Sequence, residues 1–172
     1  NDDDLATKLR MIVNHGQSKR YYHDSIGVNS RLDAMQAAIL KVKLKYLDDY
    51  NKARRIVADR YDEAFSKSDK VIIPLRSEFS THVFHQYTIK LADGVDRDGL
   101  NTFLAGKGIP SMIYYPVPNH LQKAYSFYGY KQGDFKTTED LCSRVISFPI
   151  HTEMDAEQQN LIISAVLEFI NH

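Results

Sequence analysis

The chain has 172 residues, 43% of them hydrophobic and 11% aromatic, with Lys+Arg and Asp+Glu balanced at 22 each. That length and composition suffice for a sizeable core and exclude a disordered chain. A formal net charge of zero leaves no global field to gather a polyanion, so nucleic acid is not an expected partner.

The single cysteine, Cys142, excludes an internal disulfide framework and a Cys-based zinc site, and it fits a reducing, cytoplasmic compartment. No apolar run approaches the roughly 20 residues of a membrane span, and the opening Asn-Asp-Asp-Asp is unlike the basic start of a signal peptide. There is no initiator methionine, and the chain is expected to begin inside a longer protein. Asp2 to Asp4 read as the acidic first turn of a helix carrying Leu5, Leu9, Ile12 and Val13 and stopping at His15-Gly16.

The polar stretch "QSKRYYHDSIGVNS" has neither the helical nor the strand period and reads as a loop. From Arg31 an apolar stripe of Leu32, Met35, Ile39, Val42 and Tyr46, widened by Leu40, Leu44 and Leu47, predicts a helix with more than one buried side. Ser30-Arg31-Leu32-Asp33 matches a capping box, with Ser30 as the cap. A second helical run with Val57, Tyr61, Ala64 and Phe65 on one side extends to about Ser66, so residues 31–67 form a long helical arm.

Beyond the arm the period changes. Val71-Ile72-Ile73 and the alternating "FHQYTIKL" at 84–91 read as strands. Asp96 caps a helix with Leu100, Phe103 and Leu104 that stops at Gly106-Lys107-Gly108, and Ile109 to Tyr115 reads as a further short strand. A proline-rich segment, "YYPVPNHLQKAY", leads to a helix over 137–145, the strand-like "VISFPI", and a last helix from Asp155 behind the capping signal Thr152-Glu153-Met154-Asp155. The fold class is α+β: a small sheet covered on one face, plus a helical arm.

Generic catalytic motifs are absent: no Gly-x-Ser-x-Gly elbow, Walker loop or Gly-x-Gly-x-x-Gly occurs. His82 and His85 are three apart, which in a strand places them on opposite sides, so no metal site is expected. Two features remain. Asn29 and Arg31 stand at a helix start, where free amides and a planar guanidinium favour an anion, although the same turn also serves as a plain helix cap with a solvated arginine. Tyr114, Tyr115 and His120 lie in a loop stiffened by two prolines, suited either to lining a sugar or nucleotide pocket or to forming a rigid surface loop.

Three segments, "DDDLATKLRMIVNHGQSKRYYHDSIGVNSRLDAMQAAILKVKL", "THVFHQYTI" and "YYPVPNHLQKAY", occur in order along nearly the whole chain. Together they resemble the C-terminal part of the DegT/DnrJ/EryC1/StrS sugar aminotransferases, fold-type I enzymes that use pyridoxal 5'-phosphate. Gly27, Asn29, Arg31 and Gln36-Ala37-Ala38 follow that family's helix-start wording. "HTEM" and "YYPVP" are most similar to members that aminate nucleotide-linked sugars for lipopolysaccharide and O-antigen assembly, including the UDP-linked 3-keto-hexuronic acid aminotransferases.

The resemblance implies that Asn29 reaches across a homodimer to bind the cofactor phosphate. It implies that Arg31 stands near the same shared site, where a uronic acid carboxylate is its natural partner. Tyr114, Tyr115 and His120 fall in the substrate-lining loop, which usually reads Pro-Leu-His and here reads Pro118-Asn119-His120. The lysine that holds the cofactor lies, by the same resemblance, upstream of residue 1, so no catalytic residue is nominated here.

The expected organisation is then 1–30 as the end of the large domain and connecting loop, 31–67 as the arm, and 68–172 as the small C-terminal domain. The full-length enzyme would transfer an amino group from an amino acid, most often glutamate, to a nucleotide-linked keto sugar. This piece alone should be inactive and should self-associate through its apolar stripe. The alternatives are a stand-alone binding or dimerisation module and a catalytically retired, cofactor-binding sensor.

Overall fold

The computed structural model describes residues 1–171, which divide into two compact units, Asn1–Leu47 and the chain from Asp48 on. The first unit opens with helix α1 (Asp3–Val13), whose cap Asp2 accepts a hydrogen bond from the Leu5 amide at 2.9 Å. Asp3 and Asp4 in its first turn complement the helix dipole. The helix closes where expected: Gly16, with φ +72°, donates to the Met11 carbonyl at 2.9 Å.

The following segment is not an irregular loop. Strands β1 (Gln17–Lys19) and β2 (Tyr22–His23) pair antiparallel around a turn at Arg20-Tyr21. Strands of three and two residues are too short for an alternation to be visible in the sequence. Helix α2 (Ala34–Leu44) starts three residues later than the capping-box reading placed it, because its cap is Asp33, which accepts from the Gln36 amide at 2.8 Å. Ser30 is unavailable as a cap. Its own amide donates to the Val13 carbonyl at 2.9 Å, and Asn29 forms an antiparallel bridge with Asn14, so residues 28–30 are held extended. The apolar stripe of α2 is open to solvent, with Met35 76% and Leu44 69% exposed.

In the second unit helix α3 (Leu47–Phe65) is separate from α2, so the span 31–67 is divided between the two units. The unit's sheet is three-stranded and antiparallel, in the order β3 (Val71–Ile72), β4 (Tyr87–Leu91) and β5 (Val145–Phe148). Tyr87, Ile89 and Leu91 of β4 are buried, in the predicted alternation. The strand begins at Tyr87 rather than at 84, because Phe84 has φ +47° and its amide bonds to the His82 ring at 2.8 Å.

Three helices complete the core: α3 with Val57, Tyr61 and Phe65, α4 (Arg97–Gly106) with Leu100 and Leu104, and α6 (Ala156–Asn171) with Ile162, Val166 and Ile170. Asp96 caps α4 as expected, accepting from the Gly99 amide. Helix α6 is capped by Asp155 and Gln158, which exchange side-chain and backbone bonds, so this capping box begins at Asp155 and not at Thr152. The predicted strand over 109–115 reduces to one bridge, Met112 with Ser147. Its remaining backbone follows the irregular course of the proline-rich loop, which holds short 3₁₀ turns at Asn119–Leu121 and Lys123–Tyr128. The last helix of the set, α5 (Lys136–Arg144), meets the sheet through Lys90, which pairs with Asp140 at 2.8 Å.

Two polar networks brace the core. The Tyr87 hydroxyl donates to Asp62 at 2.6 Å, and Asp62 also receives the Arg76 guanidinium, which lies over the Phe84 ring. Burial, then the Asp62 carboxylate, pushes the Tyr87 phenol well above its ordinary range. Arg54 spreads one amino group over the carbonyls of Phe84, His85 and Ile150, each at 3.3 Å, and ties the loop before β4 to the one after β5.

Candidate functional site

The Asn29–Arg31 turn is built on the end of α1. Three backbone bonds latch it there: Val28 N–H to Ile12 C=O at 2.8 Å, His15 N–H to Val28 C=O at 3.0 Å, and Ser30 N–H to Val13 C=O at 2.9 Å. The contact is close enough to require glycine on both sides. A Cβ on Gly27 would lie 2.1 Å from the Gly16 nitrogen and 2.5 Å from the Ile12 oxygen, and one on Gly16 would lie 1.8 Å from the Ser25 oxygen.

Held in this way, the two side chains act on one another. Arg31 Nε donates to Asn29 Oδ1 at 2.9 Å. That bond assigns the amide orientation: oxygen toward the guanidinium, Nδ2 outward. Among the described residues neither the Asn29 Nδ2 nor the terminal nitrogens of Arg31 have a partner. The turn therefore offers exposed donors and one fixed positive charge. Such a set is suited to an anion of phosphate or carboxylate type.

In the second unit, Tyr114 and Tyr115 lie edge to face with ring centroids 5.7 Å apart, at one end of a groove of about 310 Å³. Pro118, Asn119, Thr138 and Cys142 also line it. Asn119 is the residue at which this loop departs from Pro-Leu-His, and the departure puts an amide where an apolar side chain is usual. Tyr114 also borders a cleft of about 200 Å³ with His85 and Ser147.

His120 is not part of the groove lining. Its side chain is 8% exposed, with Nε2 3.0 Å from Glu139 and the ring 4.7 Å from Phe135. Glu139 organises this whole loop, accepting from the Gly133 and Phe135 amides as well as meeting His120. The Gly133 N–H above all, with Phe135 and His120, holds the Glu139 carboxyl below its usual range against the opposing effect of burial. At the next residue, Arg144 and then Lys90 bring Asp140 down to about 2. Among the described residues no group of three or more metal-ligating side chains occurs.

Sequence reasoning singled out Asn29, Arg31 and the tyrosines but passed over Glu139, Arg54 and the Gly16–Gly27 contact. The two glycines were visible in the sequence, one at a helix stop and one before the polar turn. Nothing local marks Glu139, whose partners lie six and nineteen residues back.

A small antiparallel sheet cored by helices, preceded in the chain by a helical unit, is the fold of the C-terminal part of a fold-type I pyridoxal-phosphate aminotransferase, and solved structures agree along the chain's length. The crystal structure of DesV from S. venezuelae matches 99% of this chain and 45% of its own, with 33% identity and a TM-score of 0.90. The chain belongs to the DegT/DnrJ/EryC1/StrS aminotransferase family, whose profile matches residues 1–167. Enzymes of this family depend on pyridoxal phosphate.

Among curated relatives, the chain is 42% identical to the pleiotropic regulatory protein of Geobacillus stearothermophilus, over 100% of this chain and 46% of that one. It is 39% identical to dTDP-3-amino-3,6-dideoxy-alpha-D-galactopyranose transaminase of Aneurinibacillus thermoaerophilus, over 96% and 44%. It is 41% identical to UDP-N-acetyl-3-dehydro-alpha-D-glucosamine 3-aminotransferase of Acidithiobacillus ferrooxidans, over 91% and 41%. The chain thus spans less than half the length of the curated relatives it matches.

Proposed function

We propose that this chain is the C-terminal part of a pyridoxal-phosphate-dependent aminotransferase that moves an amino group from an amino acid, glutamate in our reading, to a nucleotide-linked keto sugar. The pathway we assign is lipopolysaccharide, O-antigen or related polysaccharide synthesis, in the cytoplasm. The relatives named for dTDP- and UDP-sugars support the substrate class. The observation that carries the reading is the latched turn, where the Arg31–Asn29 bond leaves the Asn29 amide nitrogen and the Arg31 terminal nitrogens as exposed donors.

The donor set fits the cofactor. A neutral amide binds a phosphate oxygen without burying a second charge, and the adjacent guanidinium supplies a planar fork for a phosphate or for a uronic acid carboxylate. The bound cofactor supplies the electron sink that lets an amine change carriers. Asn29 would grip the phosphate, and Arg31 would hold the amide in its binding orientation while facing the sugar. Tyr114 and Tyr115 would flank the sugar, with His120 stiffening their loop from behind.

In the full protein, residues 1–30 would close the large domain, 31–67 would form the arm and 68–172 the small domain. The exposed stripe of α2 suits burial against the large domain and a second subunit, giving a homodimer with shared sites. The lysine that holds the cofactor would come from the large domain, so the 172-residue chain alone would not transaminate.

Asn29→Ala in the full-length protein is expected to release cofactor on gel filtration, read as loss of its absorbance band. Full retention by the variant would remove the assigned role. The regulatory name of the Geobacillus stearothermophilus relative favours a second reading, a cofactor-binding sensor without activity. Amination of a dTDP- or UDP-linked keto sugar by the purified full-length protein separates the two.

A further inference from the structure

The groove bordered by Tyr114 and Tyr115 has two walls, the proline-rich loop and α5. Core packing does not set the distance between them, since among the described residues none from 110 to 144 belongs to the buried hydrophobic core. Polar ties hold the walls instead. The loop starts from the Met112–Ser147 bridge, whose two backbone bonds are 3.0 and 2.8 Å long. Helix α5 is fastened to the sheet by Lys90 on Asp140. The far end of the loop, the turn at Asn119–Leu121, meets α5 through Glu139.

One oxygen of that carboxylate serves three groups. Glu139 Oε1 accepts from the Gly133 amide at 2.9 Å and the Phe135 amide at 3.3 Å, and lies 3.0 Å from His120 Nε2. Oε2 takes the Gly133 amide as well, at 2.9 Å. Phe135 backs the His120 ring at 4.7 Å, and Tyr130 backs Phe135 at 5.0 Å. The joint touches the groove from both sides: Asn119, which precedes His120, and Thr138, which precedes Glu139, both line it. A charged acceptor shared by a loop, a turn and a helix start fixes all three against one another, as a groove without a core beneath it requires.

We infer that Glu139 is a positioning residue for the sugar: through His120 it sets the width of the groove and holds Asn119 opposite Thr138, while touching no substrate itself. This role rests on the nucleotide-sugar reading above and belongs to the sugar step of the exchange alone. The amino-acid step needs no part of the groove in that reading, so the two steps separate a positioning role from a general support of the fold.

The test follows the two steps separately in the cofactor-loaded full-length protein. Glu139→Ala leaves the Gly133 and Phe135 amides and His120 without their acceptor. It should raise KM for whichever dTDP- or UDP-linked keto sugar the wild type aminates by about 10-fold or more, with kcat changed less. The rate at which glutamate changes the cofactor absorbance should stay at the wild-type value. Glu139→Gln keeps an oxygen at the Oε1 position and should restore most of the sugar KM. His120→Phe keeps a ring against Phe135 and removes the bond, so its effect and that of Glu139→Ala should combine to much less than their product. Hydrogen exchange should quicken at the Gly133 amide of Glu139→Ala with β4 still protected. Unchanged sugar KM in Glu139→Ala, or an equal loss in both steps, overturns the positioning role and leaves the aminotransferase reading standing. Fully multiplicative effects would show that Glu139 does not act through His120 and overturn it as well. A wild type that aminates neither sugar overturns both.

Discussion

Replacing Gly27 by alanine places a methyl group where backbone already stands, 2.1 Å from the Gly16 nitrogen, 2.5 Å from the Ile12 oxygen and 2.6 Å from the His15 carbonyl carbon. No flexible side chain can yield there, so the turn must lift from the end of α1. Lifting breaks one to three of the latching bonds from Val28, His15 and Ser30. At about 0.5–1.5 kcal/mol each, the docked turn loses roughly 0.5–4.5 kcal/mol. If the cofactor binds only the docked turn, its apparent affinity falls in proportion to the docked fraction, so weaker cofactor retention is expected.

Hydrogen exchange on the chain reads the first effect, as faster exchange of the Val28 and Ser30 amides with α1 still folded. Cofactor absorbance after dialysis of the full-length variant reads the second. Wild-type protection at both amides would refute the latch itself. Lost protection with full cofactor retention would refute its coupling to the Asn29 site.

Arg31→Lys keeps a charge but removes the Nε–H that orients the Asn29 amide, so cofactor retention should fall, by less than in Asn29→Ala; retention equal to wild type would show that the bond does not orient the amide. Asp140 stands at about 2, below the ordinary carboxylate value of about 3.9. Its contribution to stability is thus complete above about pH 4 and lost as pH falls toward 2; melts followed by circular dichroism should show this loss, and Asp140→Asn should flatten that part of the profile. Tyr87→Phe removes the 2.6 Å bond to Asp62 from the core and should cost about 1–3 kcal/mol in urea unfolding of the chain, where an unchanged midpoint would count against the Tyr87–Asp62–Arg76 brace.

How much of this was legible beforehand follows the range of each interaction. Asp96 was readable as a cap because a cap needs only a side chain and an amide three residues on. The burial of Tyr87, Ile89 and Leu91 was readable because alternation is a property of the strand itself. The family was readable because its wording stands in order along the chain.

Tertiary contacts decided the rest. Ser30 is a good cap by type, yet its backbone is engaged by Val13, so the helix waits for Asp33. Ile109 to Tyr115 has a strand's composition but gains a partner only at Met112. His120 looked like a groove residue until Glu139, nineteen positions on, drew it inward. Local sequence determines which conformations a segment can adopt. Which one it keeps, and whether a polar side chain faces a ligand or a neighbour, depends on backbone and carboxylates brought there by the fold.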